Sequence, residues 1–496
     1  MTPVRKHPAL SAWARRCSHM RRGASRWRRA VAVFCGVAIA WCGLAGAALG
    51  QEARSADAFI DSIGVNTHTF FGGTAYEDYT WREKLLASGI RHIRENLQRD
   101  NPTQVRRIND LYEAGGIRTS FIFDPRADRG GTVAELFARL KGSMLAAAEQ
   151  VEGPNEYENA HVADWDAVAQ DARAYQARLY ATIKGDPATA QLPVLGPSVA
   201  YPSGYGAWGD VSASLDIGNM HSYPGGRKPS ANLREWLAAA ATTSATKPVE
   251  ATETGYHNAV TTSGGHLPAS ERAAGIYLPR LYLEYFRRGV RRTYAYELVS
   301  EGPDESDAEQ NFGLLRSDYS DKPAMVALRN LIALLDDRPS PFTWGWALTP
   351  SSFETSTGDS LSYSLLDAPP EVHHVLLQAR DGAFWLALWR EVPVWDPLTR
   401  ADRNRSDVPV NLALEEPVAS ASTYLPNLDT SPLATWSSPK TLTLRVGPMV
   451  TLLEIRRSAT AAGTEAAPEA GADDVLGTPD ATTDATPIDA GPSPTP

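Results

Sequence analysis

The 496-residue chain reads as an α/β protein: residues 51–338 form a closed (β/α)8 barrel and residues 339–458 an antiparallel β-sandwich. Two observations predict this. Between Asp57 and Leu335, eight short strand-like runs are separated by amphipathic stretches with apolar residues spaced three and four apart. After about Pro339 the apolar period drops to two.

The strand candidates, in order, are 59–68, 90–97, 117–124, 150–156, 192–199, 215–223, 247–254 and 291–298. Helical stretches cover 79–89, 102–116, 132–145, 164–185, 232–240, 270–289 and 322–335, and several end in Gly, which accepts the left-handed conformation of a helix C-terminus. Short buried strands alternating with helices require a parallel sheet covered on its outer face, and eight such units fit a TIM barrel. A doubly wound open sheet is the runner-up, but no Gly-rich phosphate turn follows the first strand. In a barrel, residues at the C-terminal strand ends form the site and those at the N-terminal ends hold the structure together.

The sandwich strands are read at 361–366, 372–379, 384–391, 408–414, 421–426, 440–446 and 450–457. Segment 52–58 is a candidate addition to them, because the chain begins near the bottom of the barrel. Trp385, Trp389 and Trp395 are expected in the sandwich core. The appended domain is read as a brace, with carbohydrate binding as the second reading.

The ends of the chain speak to location. The first thirty residues carry nine Arg or Lys and no acid, and an apolar run from Ala30 to Leu49 ends in small residues. Residues 1–50 therefore have the layout of an export signal and the protein is expected to be secreted or periplasmic. The alternative is an N-terminal anchor attaching an external barrel to a membrane, since the run is long enough to span one. Arg28 and Arg29 leave a twin-arginine route open. All three cysteines, Cys17, Cys35 and Cys42, lie in or before the apolar run, so a processed chain has no disulfide, thiolate metal site or cysteine nucleophile. Subtracting those nine positive charges from the formal −10 leaves −19, which repels nucleic acid. Residues 459–496, rich in Ala, Thr, Pro and Asp, read as a disordered acidic tail.

Two carboxylates stand at strand ends. Glu156 closes the fourth candidate strand in the string GPNE, and Glu253 closes the seventh in ATETGY, roughly opposite around an eightfold ring. Delivered to one cleft, such a pair supplies the proton donor and the nucleophile that a glycosidic bond requires. Asn155 brings an amide beside Glu156. Glu250 competes with Glu253, but strict alternation places the two on opposite faces of the strand, Glu250 on the helix side. His221 and Tyr223 end the sixth strand and can orient the seventh-strand carboxylate. Arg94 on the second strand offers a positive fork that keeps Glu253 ionised, or else pairs with Glu95 or another carboxylate inside the barrel. Candidate sugar-binding groups are Asn66 and His68 on strand one, Trp208 in the loop after strand five, Tyr256 after Glu253, and Tyr296 and Glu297 on strand eight.

On these residues the chain, over about 58–335, resembles the large clan of retaining glycoside hydrolases built on (β/α)8 barrels, which includes cellulases, β-xylosidases and bacterial exopolysaccharide hydrolases. The clan carries an Asn–Glu pair after strand four and a Glu at the end of strand seven, matched here by Asn155–Glu156 and Glu253. Its strand-two Arg and strand-six His or Tyr correspond to Arg94, His221 and Tyr223. The chain looks most like the β-xylosidase, iduronidase and exopolysaccharide hydrolase family, and departs from the frequent Asn–Glu–Pro form in having Tyr157. The resemblance implies double displacement on a polysaccharide, β-linked by expectation, with Glu156 as acid/base and Glu253 as nucleophile. It implies no organic cofactor and no metal, and no metal-ligand set is evident in the sequence. A non-catalytic carbohydrate-binding protein and a polysaccharide lyase are the competing readings.

Overall fold

In the computed structural model, which describes residues 50–126, 130–262, 265–336 and 357–458, strand β1 (Gln51–Ser55) precedes the barrel strands β2 (Ile63–Asn66), β3 (His92–Asn96), β4 (Arg118–Ile122), β5 (Ala148–Glu152), β6 (Val194–Leu195), β7 (Gly218–His221), β8 (Val249–Thr254) and β9 (Thr293–Ala295). They form one parallel sheet in the order β6-β5-β4-β3-β2-β9-β8-β7, and a parallel bridge between Leu195 and Ile217 joins its two ends. Each of the eight sequence-predicted runs overlaps one barrel strand, although β5 begins two residues before the run at 150–156 and ends at Glu152, so that Glu156 lies beyond it. The intervening helices begin and end where the local chemistry directs. Asn101 caps Pro102–Gly115, whose Pro needs no hydrogen-bond partner in the first turn, and Gly116 ends it at φ 65°. Thr132 and Glu135 form a reciprocal capping box on Val133–Ser143.

The first predicted run is only partly strand. Residues Ala56–Asp61 form a short helix, with the Ser55 side chain accepting from the Ala58 N–H at 3.1 Å. The helix delivers Asp61 to the N-terminal strand ends, where it meets Arg292 at 2.9 Å and His92 at 2.9 Å. His92 and Arg292 in turn reach Glu149 at 2.6 and 3.1 Å. This buried ionic ring is structural, at the end of the barrel opposite the site.

Beyond the barrel, β10 (Thr357–Leu361), β11 (Tyr363–Leu366), β12 (Val372–Gln378), β13 (Phe384–Arg390), β14 (Trp395–Asp396), β15 (Ala401–Asp402), β16 (Val408–Leu414), β17 (Ser420–Tyr424), β18 (Ala434–Ser437), β19 (Thr441–Val446) and β20 (Thr451–Arg456) form the second region. A seven-stranded sheet, β10-β1-β12-β13-β20-β17-β18, faces a three-stranded sheet, β11-β16-β19, across a core that includes Leu386, Leu412 and Leu444. The N-terminal strand β1 lies between β10 and β12, so part of segment 52–58 does join the sandwich, while Ala56–Asp61 is helical.

The tryptophans correct the sequence reading. Along β13, Phe384, Leu386 and Leu388 enter the sandwich core, whereas Trp385, Ala387 and Trp389 join the barrel's apolar cluster, and Trp395 joins a second cluster containing helix Glu271–Arg287. Strand β13 is buried on both faces, so the aromatic side builds the junction rather than the sandwich core. A buried ion pair strengthens that junction: Arg280 reaches Glu391 Oε2 through Nη2 at 2.5 Å and Nε at 3.0 Å, with both side chains fully buried. The export segment and the acidic tail lie outside the described residues. Among the described residues no helix is long and apolar enough to cross a membrane.

Candidate active site

The C-terminal strand ends open into a cleft of about 540 Å³ bordered by Arg94, Asn155, Glu156, Tyr223, Glu253 and Tyr296, among others. Arg94 is its hub. Projecting from β3, it binds both oxygens of Glu152 at 2.7 Å, the side-chain oxygens of Asn66 at 2.9 Å and Asn155 at 2.7 Å, and Glu253 Oε1 at 2.7 Å. Glu95, the neighbouring candidate partner, faces away to Thr67 and Thr69. A planar guanidinium with five donors suits this arrangement, because one rigid fork sets the positions of four side chains from three other strands and the loop after one of them.

Glu253 is held from both sides. Arg94 donates to Oε1 and the Tyr223 hydroxyl donates to Oε2 at 2.8 Å, while His221 Nδ1 stands 3.5 Å from Oε2. Burial by itself raises the carboxyl's pKa. The opposing charges of His221 and Arg94, with the hydrogen bonds from Arg94 and Tyr223, outweigh that and hold it at about 2, so Glu253 is an anion at any ordinary pH.

Glu156 occupies the loop just beyond β5 with φ 42°, a left-handed conformation that costs a non-glycine residue ~1–3 kcal/mol. Its N–H bonds the Ser198 carbonyl at 3.1 Å, and its Oε1 lies 2.7 Å from His221 Nδ1. His221 is fully buried, with Nε2 3.1 Å from the Thr252 hydroxyl. Burial opposes its charged form, but Glu253 and Glu156 together raise its proton affinity above the ordinary imidazole value. One oxygen of Glu156, one nitrogen of His221 and one oxygen of Glu253 all lie within 4.8 Å of one another.

Strict alternation misplaced Glu250. The pairing of β8 with β7 slips between Met220 and His221, and its pairing with β9 slips between Ala251 and Thr254. As a result Thr252 and Glu253 both face the barrel interior, with the Thr252 hydroxyl donating to Asn219 at 2.6 Å, while Thr254 turns to Tyr285 in the helix layer. Glu250 also points inward, lower in the barrel, where Gln150 and Arg291 bind it at 2.7 and 2.5 Å. It is buried and does not border the cleft.

Of the expected sugar-binding groups, His68, Tyr296 and Asn66 border the cleft. Asn66, however, has both ends of its amide engaged, accepting from Arg94 and donating to the Thr252 carbonyl at 3.0 Å, so it acts as a strut for Arg94. Three others do not border the cleft. Trp208 is fully buried against Trp165, donating to Glu158 at 3.1 Å, because its loop folds onto helix Trp165–Gly185. Tyr256 turns into the helix layer, bonds the Arg227 carbonyl at 3.0 Å and packs on Tyr277. The turn is made at Gly255, where φ is 147° and a Cβ would meet the Tyr296 carbonyl at 2.7 Å. Glu297 is fully buried behind the wall.

Several cleft residues were not anticipated: Phe70, Phe71, Asp124, His266, Glu301 and Glu309. His266 stacks on Tyr223 with centroids 4.4 Å apart. Most of these residues lie in loops, where no periodicity marks them; Glu309 starts a short 3-10 helix and Asp124 ends the run at 117–124. Glu152 carried a legible signal, an acid at a strand position four residues before Glu156, which demands a buried cation.

No family model and no curated protein matches the chain. The fold does have solved counterparts. A family 39 glycoside hydrolase from the gut symbiont Bacteroides cellulosilyticus WH2 aligns with a TM-score of 0.56 at 14% identity, covering 81% of each chain. The GH51 arabinofuranosidase from Xanthomonas axonopodis pv. citri aligns with a TM-score of 0.50 at 13% identity, covering 82% of this chain and 97% of that one. The chain therefore shares its fold with solved glycoside hydrolases. At these identities the likeness extends to the fold, and the chemistry rests on the site itself.

Proposed function

We propose that this protein is a retaining glycoside hydrolase acting on a polysaccharide, with Glu253 as nucleophile and Glu156 as acid/base. The observation that carries the reading is the distance between the two carboxylates. An oxygen of each lies within 4.8 Å of an oxygen of the other, a closeness that favours the ~5–5.5 Å carboxyl separation of double displacement over the ~6.5–9.5 Å of an inverting pair.

In the first step a Glu253 oxygen attacks the anomeric carbon while Glu156 gives its proton to the departing glycosidic oxygen. The C–O bond breaks, an alcohol leaves, and a glycosyl ester remains on Glu253. Glu156, now a carboxylate, takes a proton from water, whose oxygen attacks the same carbon and releases Glu253. His221, 2.7 Å from Glu156 and 3.5 Å from Glu253, can take up positive charge as the negative charge moves between them. Asn155, whose side-chain oxygen accepts from Arg94 and from Ser198, has its NH2 left to donate to a sugar hydroxyl. The export-like residues 1–50 support a substrate outside the cytoplasm, and β-linkage follows from the resemblance to the retaining clan.

The test is a panel of purified β- and α-linked polysaccharides, including uronate-rich and microbial polymers. Products of retained configuration, lost in E156Q and E253Q, support the reading. Inverted or unsaturated products overturn the mechanism, and binding without turnover favours a carbohydrate-binding protein.

A further inference from the structure

A second cluster of ligand-type side chains stands in the wall of the same cleft, formed by His68 from the loop after β2, Glu297 just beyond β9, and Glu301 a turn further on. His68 Nε2 lies 3.3 Å from Glu297 Oε2 and 3.9 Å from Glu301 Oε1, and the three donor atoms fall within 4.8 Å of one another.

Glu297 makes this more than a group of acids. Its side chain is fully buried and neither carboxylate oxygen has a hydrogen-bond partner within ordinary geometry; His68 Nε2 stands 3.3 Å from Oε2. Among the described residues no Lys or Arg forms an ion pair with Glu297 or Glu301. Lys322, whose field reaches Glu297, spends its ammonium protons on Asn258, Ser300 and Asn311. An uncompensated buried carboxylate costs several kcal/mol, so it must be neutralised by a proton or by a cation.

We infer that His68, Glu297 and Glu301 form a binding site for a first-row divalent cation of the Zn2+ or Mn2+ class. One imidazole nitrogen and two carboxylate oxygens are the donor set such ions accept. Two donors bound at ~2.1 Å stand at most ~4.2 Å apart, and both distances measured from His68 satisfy that limit. Glu301 borders the cleft and is partly exposed, whereas the Glu297 side chain is fully buried. A dication balances the two carboxylates and keeps its remaining positions toward the cleft, where His68 and Glu301 border it. The proposal is independent of the hydrolase reading.

The experiment titrates chelator-stripped full-length protein with Zn2+ and with Mn2+ by calorimetry, following Mn2+ also by electron paramagnetic resonance. One ion per chain is expected, with affinity weakened about 100-fold or more in E297Q and in E301Q, since even groups outside the ligand set change metal affinity by ~10–100-fold. E156Q keeps the wild-type affinity, which separates this cluster from the Glu156–His221–Glu253 group. The ion raises the melting temperature of wild type but not of E301Q, whose partly exposed position leaves folding intact. Absence of binding at millimolar ion, binding that both variants retain, or loss of binding in E156Q would each overturn the proposal.

Discussion

Replacing Tyr223 by Phe tests how Glu253 is kept ionised. The hydroxyl donates to Glu253 Oε2 at 2.8 Å, and the ring is held independently by stacking on His266 and by an edge contact with Phe312, so the substitution removes one hydrogen bond and leaves the packing. A hydrogen bond to a charged acceptor is worth ~1.5–3 kcal/mol, and one pKa unit corresponds to ~1.4 kcal/mol. Losing it therefore raises Glu253 from about 2 to roughly 3–4. Glu253 must be a carboxylate to attack, so activity is present above its pKa and falls as pH drops through it. In wild type the acid limb of kcat/KM lies too low to observe with folded enzyme. In Y223F it moves up by about one to two units and enters the accessible range. The assay is kcat/KM against pH on a polysaccharide cleaved in the panel, with preincubation at each pH and return to neutral as the control for unfolding. An acid limb that does not move, although the variant is folded and active, would refute the account of Glu253's charge. The same depression ties stability to pH: Glu253 contributes fully above its ordinary value of 4.5 and loses that contribution as pH falls toward 2.

Other outcomes follow from particular contacts. E156Q lowers turnover of substrates with poor leaving groups by ~10²–10⁴-fold; with aryl glycosides whose leaving group needs no proton it spares the first step alone, so the glycosyl-enzyme accumulates, and E156A regains turnover of these substrates with azide as a nucleophile that needs no base. Either R280M or E391Q alone leaves one fully buried charge unpaired and costs ~3–5 kcal/mol in urea denaturation, while R280M/E391M loses less than the sum of the single changes. W208F leaves KM unchanged and destabilises the fold by ~1–3 kcal/mol, because it strips a donor from buried Glu158. By contrast F71A raises KM with little change in stability, since Phe71 borders the cleft and is only partly buried.

The barrel was legible because its periodicities are local. A buried parallel strand needs a continuous apolar run, and a covering helix needs a stripe at three and four, so each of the eight units announced itself. Helix ends were equally local, as Asn101 and Gly116 illustrate. The same rule failed where one segment serves two partners. Strand β13 shows a continuous apolar run because one face packs in the sandwich and the other against the barrel, and no window of sequence says which tryptophan meets which layer. The helix at Ala56–Asp61 was hidden for a related reason, since its apolar residues run directly into those of β2.

The candidate site divides along the same line. Sequence by itself determined the barrel, the sandwich, the two acids at the ends of the fourth and seventh strands, and the cation on the second. These depend on residue type and strand order. Only the tertiary structure decided that Glu253 faces inward beside Thr252, because a slip in strand pairing is set by both neighbours, β7 and β9. Only the structure turned Trp208 and Tyr256 away from the cleft, brought Phe71 and His266 into it, and set His68, Glu297 and Glu301 together, because loop residues follow the packing of their surroundings rather than any period of their own.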